Sequence, residues 1–386
     1  MNSLKPMLLT SLKSYNRSQF IKDVTAGIIV AIIALPLSIA LALASGVGPE
    51  AGIFTAIVAG FVISALGGSS VQIAGPTAAF ATIVAGVVAK DGMDGLVIAT
   101  ILAGIFLVLM GLCHFGSLFK FIPFTITTGF TSGIAVTIVI GQLKDFFGLT
   151  YPDGVKPIET TEKFRAVVEN FSTINIDALI VGSVSLAVLI IAPYIFKRIP
   201  GSLIAVIIGI LMVQFLPLKV STIGNLYTIS NSLPSFHLPA VSLEVVQNAL
   251  PNAFTIAVLA AIESLLSCVV ADGMLNGKHR SDMELVAQGA GNIASALFGG
   301  IPATGAIART AANIKNGGRT PIAGIVHSIT LVIVLVVLMP YAGMIPMPTI
   351  AAILFIVAYN MCQWHTFVKL VKTAPKSDII VLFASF

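Results

Sequence analysis

Glu263 is the residue whose type and position most clearly suggest chemistry. It lies in the apolar stretch Ala260-Ala-Ile-Glu-Ser-Leu-Leu-Ser267. A carboxylate in such a stretch is costly unless it is paired or protonated, so a functional role is the default hypothesis. Ser267 is one helical turn further on and on the same face. The two residues are therefore candidates to hold a sodium ion or a transferable proton, and a structural hydrogen bond from Glu263 to a helix break is the alternative.

Arg309 is the second such residue. It lies about one turn into the short apolar run Ala303–Ile314. It can supply positive potential to an anion, extend to the membrane surface, or pair with Glu263. Thr304 and Thr310 flank it, and their hydroxyls can either donate to a ligand or bond locally to the helix.

The composition places these side chains in a membrane. Of the 386 residues, 57% are hydrophobic and 10% are charged, whereas about 25% of a soluble domain is charged. A surface with so little charge suits lipid rather than water. The length allows about twelve or thirteen spanning helices. The 5 histidines and 3 cysteines show no metal-ligand or disulfide spacing, and we find no plausible nucleophile–base set. We therefore expect neither an enzyme nor a cofactor, and no metal beyond sodium.

Apolar runs separated by polar loops define the predicted helices. Two runs that begin at Gly or Pro, Gly75–Ala89 and Ala303–Ile314, are too short to cross a membrane core of about 30 Å. The last run ends with the chain, so we expect a fragment of a longer protein. The other predicted runs are Val24–Ser45, Ala51–Leu66, Leu96–Cys113, Phe124–Leu143, Leu179–Ile195, Ser202–Leu216, Ala253–Val270, Leu285–Leu297, Ile322–Met339, Met347–Cys362 and Ile379–Phe386.

Lysine and arginine report the topology. Counting each run as one crossing places most of them on the side of the N-terminus, among them Lys13, Lys22, Lys278 and Lys315. The positive-inside rule then predicts a multi-pass protein of the cell (inner) membrane with a cytoplasmic N-terminus. The net charge of +5 accordingly reflects topology and contact with membrane lipid, not nucleic-acid binding.

The two short runs form an internal repeat. Residues Ile63–Ala78 and Ile293–Ala306 each pass from an apolar helix through Gly-Gly to a proline and then into a short helix rich in small residues. An odd number of crossings separates them, so the halves are inverted, and paired interrupted helices indicate a transporter site. A half-helix beginning inside the membrane offers unpaired N–H groups and a positive dipole end, which suit an anion. Ordinary kinked packing helices are the alternative.

Several motifs in order resemble the SulP anion transporters, the family that includes pendrin and prestin. Ser281-Asp-Met-Glu-Leu-Val-Ala-Gln-Gly-Ala-Gly-Asn292 is similar to the family's N-Q-E-L-x-A-x-G-x-x-N. Leu35-Pro-Leu-Ser-Ile-Ala40 is similar to L-P-Q-(G/S)-x-A, Gly75-Pro-Thr77 to its G-P motif, and Ala308-Arg-Thr310 to S-R-(S/T). The resemblance covers essentially the whole chain.

The resemblance implies an all-α polytopic membrane fold of seven plus seven helices in inverted repeats, fourteen when complete and about thirteen here. Helices 1–4 and 8–11 would form a core and the others a gate, with elevator-like transport and a homodimer. Residues 1–22 would be the cytoplasmic N-terminal segment, 23–240 the first repeat and 241–386 a truncated second repeat. The anion would lie between the starts of helices 3 and 10, and Glu263 and Ser267 would form the cation or proton site. The candidate substrate-binding residues are Leu37, Leu41, Pro76, Thr77, Ala78, Ala306, Ile307, Ala308 and Arg309.

Departures from the family pattern leave the substrate open. Leu37 replaces the glutamine of L-P-Q, and Ala308 replaces the first serine of S-R-S, so the anion would depend more on backbone N–H groups. The resemblance also leads us to expect a last helix and a cytoplasmic STAS domain that this sequence does not include. The leading hypothesis is secondary active transport of sulfate, bicarbonate or a small dicarboxylate, coupled to H+ or Na+. An uncoupled anion exchanger or channel, and a nucleobase transporter of the same fold, are the alternatives.

Overall fold

The computed structural model describes residues 4–121, 124–152, 157–196, 199–239, 242–362 and 364–386. Within these residues the chain is almost entirely helical. Eight helices are long and apolar enough to cross a membrane, and Gly201–Phe215 is a shorter apolar helix. The elements in chain order are α1 (Met7–Ser11), α2 (Arg17–Ala44), α3 (Pro49–Leu66), β1 (Ala74–Gly75), α4 (Ala78–Leu112), α5 (Phe124–Phe147), α6 (Thr160–Glu169), α7 (Ile176–Ile195), α8 (Gly201–Phe215), α9 (Ile223–Leu226), α10 (Leu243–Leu275), α11 (Ser281–Leu297), β2 (Thr304–Gly305), α12 (Ile307–Lys315), α13 (Ile322–Ala342), α14 (Met347–Cys362), α15 (Trp364–Thr373) and α16 (Lys376–Ser385).

The two short runs begin differently from our prediction. Residues 74–75 and 304–305 are strands, and the helices start only at Ala78 and Ile307. The predicted starts at Gly75 and Ala303 were therefore wrong, because residues 74–75 pair with residues 304–305 before either helix begins. The first short helix also runs directly into the next predicted run as α4, which turns at Gly92 with φ 70°. A φ in the left-handed region favours glycine, so Gly92 ends the first half-helix.

The helices form two compact units, and each unit combines segments from both ends of the sequence. The first unit comprises 1–42, 46–121 and 230–339, and the second comprises 43–45, 122–229 and 340–386. This is the grouping of helices that the family resemblance implies for a core and a gate.

In the first unit, α11 packs against α3 and α4, and α10 packs against α4 and α12. Small residues allow the closest of these crossings. A Cβ placed at Gly289 of α11 would overlap the carbonyl oxygen of Gly104 in α4. Small residues at helix interfaces permit such backbone contact in membranes, and the crossing fixes α11 beside the first broken helix.

In the second unit, α14 packs against α5 and α7. The hydroxyls of Ser185 and Thr349 lie 2.9 Å apart between α7 and α14, and both side chains are buried. The segment after α8 pairs with the start of α14, where the N–H of Met347 donates to the carbonyl of Ser221 at 2.9 Å. The first unit, in contrast, holds all the candidate site residues.

Candidate functional site

The two helix breaks meet as a two-stranded sheet. β1 and β2 pair antiparallel, with Ala74 opposite Gly305 and Gly75 opposite Thr304. The N–H of Ala306 extends the pairing by donating to the carbonyl of Ile73 at 2.9 Å. Each strand leads within three residues into a helix, α4 or α12. Because the strands run in opposite directions, the two helices leave the sheet on opposite sides, as the predicted inversion requires.

Neither helix start is capped by its own N-cap side chain. The N-cap residues are Thr77 for α4 and Ala306 for α12, and neither makes a side-chain cap hydrogen bond. The first N–H groups of a helix have no intrahelical partner, and they carry the positive end of its dipole. Thr77 and Ala306 are half-buried, while Ile307 and Ala308 are exposed. The start of α12 is therefore accessible to an anion. Pro76 and Ala78, at the start of α4, are buried.

Glu263 and Ser267 face different breaks. The Thr77 hydroxyl donates to Oε2 of Glu263 at 2.9 Å, so α10 contacts the first half-helix at its N-cap. The Ser267 hydroxyl donates to Oγ1 of Thr310 at 3.4 Å and so contacts the second half-helix. Oγ1 of Thr310 in turn accepts from the N–H of Ile73 at 3.1 Å. One face of α10 therefore carries the carboxylate to one helix start and a hydroxyl to the other.

Arg309 lies inside the protein, with 1% of its surface exposed. Its Nη2 donates to the carbonyl of Pro76 at 3.1 Å and to Oγ of Ser38 at 3.4 Å. Nε and Nη1 have no hydrogen-bond partner in the described part of the chain. Within those residues Arg309 neither extends to the surface nor forms an ion pair with Glu263. The third interpretation from the sequence, positive potential for an anion, is compatible with this position and stays a prediction.

Glycine makes room for this guanidinium. A Cβ at Gly75 in β1 would overlap Nη1 of Arg309. The G-P motif therefore has a second purpose beside breaking the helix, because it allows the arginine to lie directly against the strand.

The first-span candidates Leu37 and Leu41 lie on α2 on either side of Ser38. Leu37 is half-buried and Leu41 is buried. The polar contact with Arg309 comes from Ser38 of the L-P-L-S sequence, which is not among the predicted site residues. The hydroxyl of Ser38, one residue after Leu37, is thus a polar group of α2 beside the arginine.

The first break is held by Glu284, which is fully buried on α11. Its Oε2 accepts from the N–H groups of Gly68 and Ser69 at 2.9 and 3.1 Å. Its Oε1 accepts from Nε2 of Gln72 at 2.8 Å and from Gln288 at 2.9 Å. Buried polar groups must be satisfied in this way, and here one carboxylate satisfies the loop that leads into β1.

The second break is held by Asn292, also fully buried on α11. Its Oδ1 accepts from the N–H of Ala303 at 2.8 Å, and its Nδ2 donates to the carbonyl of Ala303 at 2.9 Å. The side-chain amide thus pairs with the backbone as a neighbouring strand would. In the sequence, the E-L-x-A-x-G-x-x-N motif indicated family membership and no structural role. Its spacing of four and eight residues, which places Glu284, Gln288 and Asn292 on one helix face, was the available signal for this role.

His327 on α13 is a further residue that the sequence reasoning missed. It is fully buried, and neither ring nitrogen has a hydrogen-bond partner in the described residues. It lies close enough to Arg309 for the two groups to interact electrostatically. A single histidine in an apolar run carries no pattern, so nothing in the sequence would have identified it.

The fold and the two paired helix starts define the class, an all-α inverted-repeat fold of membrane transporters. The structure is similar to the transmembrane domain of a cyanobacterial bicarbonate transporter, BicA, with a TM-score of 0.86, 28% identity, and 96% of this chain and 95% of that chain covered. It also shares its fold with the anion transporter SLC26A9, with a TM-score of 0.87, 20% identity, and 100% of this chain and 64% of that chain covered.

The chain belongs to the sulfate permease family, whose family model matches residues 20–385. The resemblance to the SulP transporters is thereby confirmed. The chain is 42% identical to YvdB of Bacillus subtilis, a protein named as a candidate sulfate transporter, over 97% of this chain and 70% of that protein. It is 32% identical to the bicarbonate transporter BicA of Picosynechococcus over 93% of this chain, and it spans 65% of that protein's length.

Proposed function

We propose that the protein is a secondary active transporter of a small oxyanion, sulfate or bicarbonate, coupled to H+ or Na+ through Glu263. The relatives named for sulfate and bicarbonate support the substrate class. The two uncapped helix starts and the buried Arg309 support an anion between them. A small dicarboxylate fits the same chemistry and remains in the substrate set to be tested.

The hydrogen bond between Thr77 and Glu263 is the observation that best supports the proposed coupling. It joins the carboxylate to the N-cap of one of the two helices that would bind the anion. Two unit charges about 6 Å apart repel by about 3 kcal/mol at an effective dielectric constant of about 20, which is roughly a hundredfold in affinity. An ionised Glu263 therefore opposes anion binding, and a proton or sodium ion on Glu263 removes this opposition. By linkage, each ligand then favours the binding of the other.

In the proposed cycle the first unit moves as one body and carries the anion with it. Every residue of the candidate site lies in that unit, as do Glu284 and Asn292, which hold the two breaks. A site contained in a single unit can become accessible from the other side of the membrane while the contacts within it are kept. We expect the protein to work as a homodimer in the cell membrane with a cytoplasmic N-terminus, as the family resemblance and the positive-inside rule imply.

Uptake into proteoliposomes tests the proposal. Radiolabelled sulfate, bicarbonate and succinate are offered to the purified protein under imposed proton and sodium gradients, applied separately. We expect one of these anions to accumulate above its equilibrium level, and only with an inward gradient of one of the two cations. Entry that only reaches the equilibrium level and is indifferent to both gradients would establish the uncoupled exchanger or channel instead. Uptake of uracil but of no anion would establish the nucleobase alternative.

A further inference from the structure

A basic groove lies at the polar start of α2, away from the two helix breaks. It has a volume of about 460 Å³ and is formed by the first turns of α2 together with the end of α12 and the turn that follows. Gln19, Lys22, Thr25 and Ile29 contribute from α2, and Lys315 and Arg319 from the other wall. We call it the α2 groove.

Three positive charges in the α2 groove lack acidic partners. In the described part of the chain Lys22, Lys315 and Arg319 form no ion pair with a carboxylate, and all three are exposed. Nη1 of Arg319 donates to the carbonyls of Ile314 and Gly318 at 2.8 and 2.7 Å, which offsets the negative end of α12. Its other guanidinium nitrogens make no hydrogen bond to the described protein.

The carboxylate of Asp23 lowers the net positive charge here, but it forms no ion pair with Lys22, Lys315 or Arg319 in the described part of the chain, because its bonds are to neutral groups of the groove's two walls. Asp23 is fully buried. It accepts from the Thr320 hydroxyl at 2.6 Å, from the N–H of Arg319 at 2.8 Å, from Nε2 of Gln19 at 2.9 Å and from the Tyr15 hydroxyl at 3.1 Å. These bonds join the start of α2 to the turn after α12. Both walls of the groove are therefore fixed before any ligand arrives, which lowers the cost of binding.

The order of side chains along α2 indicates the kind of ligand. Lys22, Thr25 and Ile29 are three and four residues apart, so they follow one face of the helix. Along this face a charge comes first, then a hydroxyl, then an aliphatic group, as the helix passes from its polar start into its apolar span. A phospholipid presents the same sequence of chemistry from its phosphate through its glycerol backbone to its acyl chain.

We propose that the α2 groove binds the phosphate of an anionic phospholipid, with Lys22, Lys315 and Arg319 around the phosphate and Ile29 beside the start of an acyl chain. Arginine and lysine are the side chains that recognise phosphate in proteins. The lipid would hold α2 and α12 together, and these helices carry Ser38 and Arg309 of the candidate site. The inference does not depend on which anion is transported or on its coupling.

Native mass spectrometry of the purified protein tests the site. Phosphatidylglycerol and phosphatidylcholine are titrated into detergent-solubilised wild-type protein and into the triple variant Lys22→Gln/Lys315→Gln/Arg319→Gln. The matched control, Lys13→Gln/Arg17→Gln/Lys278→Gln, removes the same charge at exposed positions that do not line the groove. A basic residue near an anionic lipid contributes about 1 kcal/mol, or roughly fivefold in affinity. We expect the groove variant to lose more than tenfold in affinity for phosphatidylglycerol and the control less than threefold.

Equal losses in the two variants, or equal binding of the two lipids by the wild type, would overturn the proposal. The single variant Lys22→Gln serves if the triple variant does not fold, with an expected loss of about fivefold.

Free phosphate and glycerol phosphate distinguish a lipid from a soluble ligand. If either compound at millimolar concentration protects the wild type from thermal unfolding as strongly as phosphatidylglycerol does, and fails to protect the groove variant, the groove serves a soluble phosphate and the lipid assignment is wrong. The variant Ile29→Ser gives an independent check. We expect it to weaken phosphatidylglycerol binding several-fold, and unchanged lipid binding would contradict the position assigned to the acyl chain.

Discussion

Thr77 donates its hydroxyl to Oε2 of Glu263 at 2.9 Å, and its side-chain oxygen accepts no N–H group of the helix that it begins. A threonine at an N-cap ordinarily satisfies an N–H group of the first turn. Here the hydroxyl instead links the start of α4 to a carboxylate on α10. The helix start thus lacks a side-chain cap, and the same hydroxyl connects the candidate anion position to the candidate cation position at Glu263.

Replacing Glu263 by Gln should separate anion binding from cation dependence. The amide keeps the shape and can still accept from Thr77, but it carries no charge and cannot be protonated. We expect anion affinity in the absence of a gradient to be retained or raised, and the stimulation of uptake by the coupling cation to be lost. Proteoliposome uptake with and without each gradient measures the second quantity, and ligand-dependent thermal unfolding measures the first.

Glu244→Gln is the matched control, since Glu244 is an exposed carboxylate near the start of the same helix. It should behave as the wild type. If Glu263→Gln keeps the cation dependence of the wild type, coupling through this residue is wrong.

Replacing Arg309 should weaken anion binding in two graded steps. Hydrogen bonds to a charged group contribute about 1.5–3 kcal/mol, so Arg309→Ala should raise the anion dissociation constant by roughly ten- to a hundredfold. Arg309→Lys keeps the charge but not the paired contacts of Nη2 with Ser38 and Pro76, and we expect an intermediate loss. Arg165→Ala is the control, because Arg165 is 80% exposed on α6. Unchanged anion affinity in both Arg309 variants would contradict its electrostatic role.

His327 should be replaceable without loss of stability. An unpartnered buried polar group costs about 1–3 kcal/mol, and both ring nitrogens of His327 are in this condition among the described residues. We therefore expect His327→Leu to leave the melting temperature in detergent unchanged or to raise it. A fall of several degrees would mean that the ring has a partner such as an internal water. Ser328→Ala is the control, since its hydroxyl already donates to the carbonyl of Ala56, and it should lower stability slightly.

The membrane class, the two broken helices and the positions of Glu263 and Arg309 were accessible from the sequence. Each can be recognised in the sequence as an interruption or a single charge within an apolar run, and such features are costly in lipid. The pairing of residues 74–75 with 304–305 was not accessible. It joins segments more than two hundred residues apart, and a strand of two residues is too short to show alternation.

The polar contacts that stabilise the site also could not be predicted from local sequence patterns. Gln72, Ser38 and His327 are ordinary residues in apolar surroundings, and their roles depend on which helices meet. Glu284 and Asn292 were visible as a motif, yet the sequence does not say which backbone groups they satisfy. The spacing of the motif predicts that Asn292 lies on the buried face of its helix. Which backbone groups its side-chain amide contacts depends on the tertiary structure.

Removing Asn292 should destabilise the second break. In Asn292→Leu the N–H and carbonyl of Ala303 lose their partner inside the protein, at a cost of about 1–3 kcal/mol for each group. We expect a clear fall in the melting temperature and a protein that no longer responds to the anion. Asn248→Leu is the matched control, because Asn248 is exposed on α10. Full thermal stability of Asn292→Leu would mean that α11 does not hold β2 in place.

The start of α2 should be sensitive to alkali through Tyr15. Burial, and then the neighbouring Asp23, raise the pKa of Tyr15 from 10.0 to about 12. The phenol in the folded protein thus holds its proton more tightly than in the unfolded chain. Its stabilising contribution is fully present below pH 10 and is lost as the pH rises towards 12. We expect the difference in melting temperature between wild type and Tyr15→Phe to shrink over this range.

The hydrogen bond from Tyr15 to Asp23 gives this prediction its sign. An ionised phenolate cannot donate to a carboxylate and is repelled by it, so the wild type should lose more stability than Tyr15→Phe between pH 10 and pH 12. Tyr194→Phe controls for general alkaline damage, since Tyr194 is 81% exposed and should follow the wild type. If wild type and Tyr15→Phe lose stability in parallel, the Tyr15 bond to Asp23 contributes nothing to the join between α2 and the turn after α12. The walls of the α2 groove are then held by the other donors to Asp23, which are Thr320, Gln19 and the N–H of Arg319.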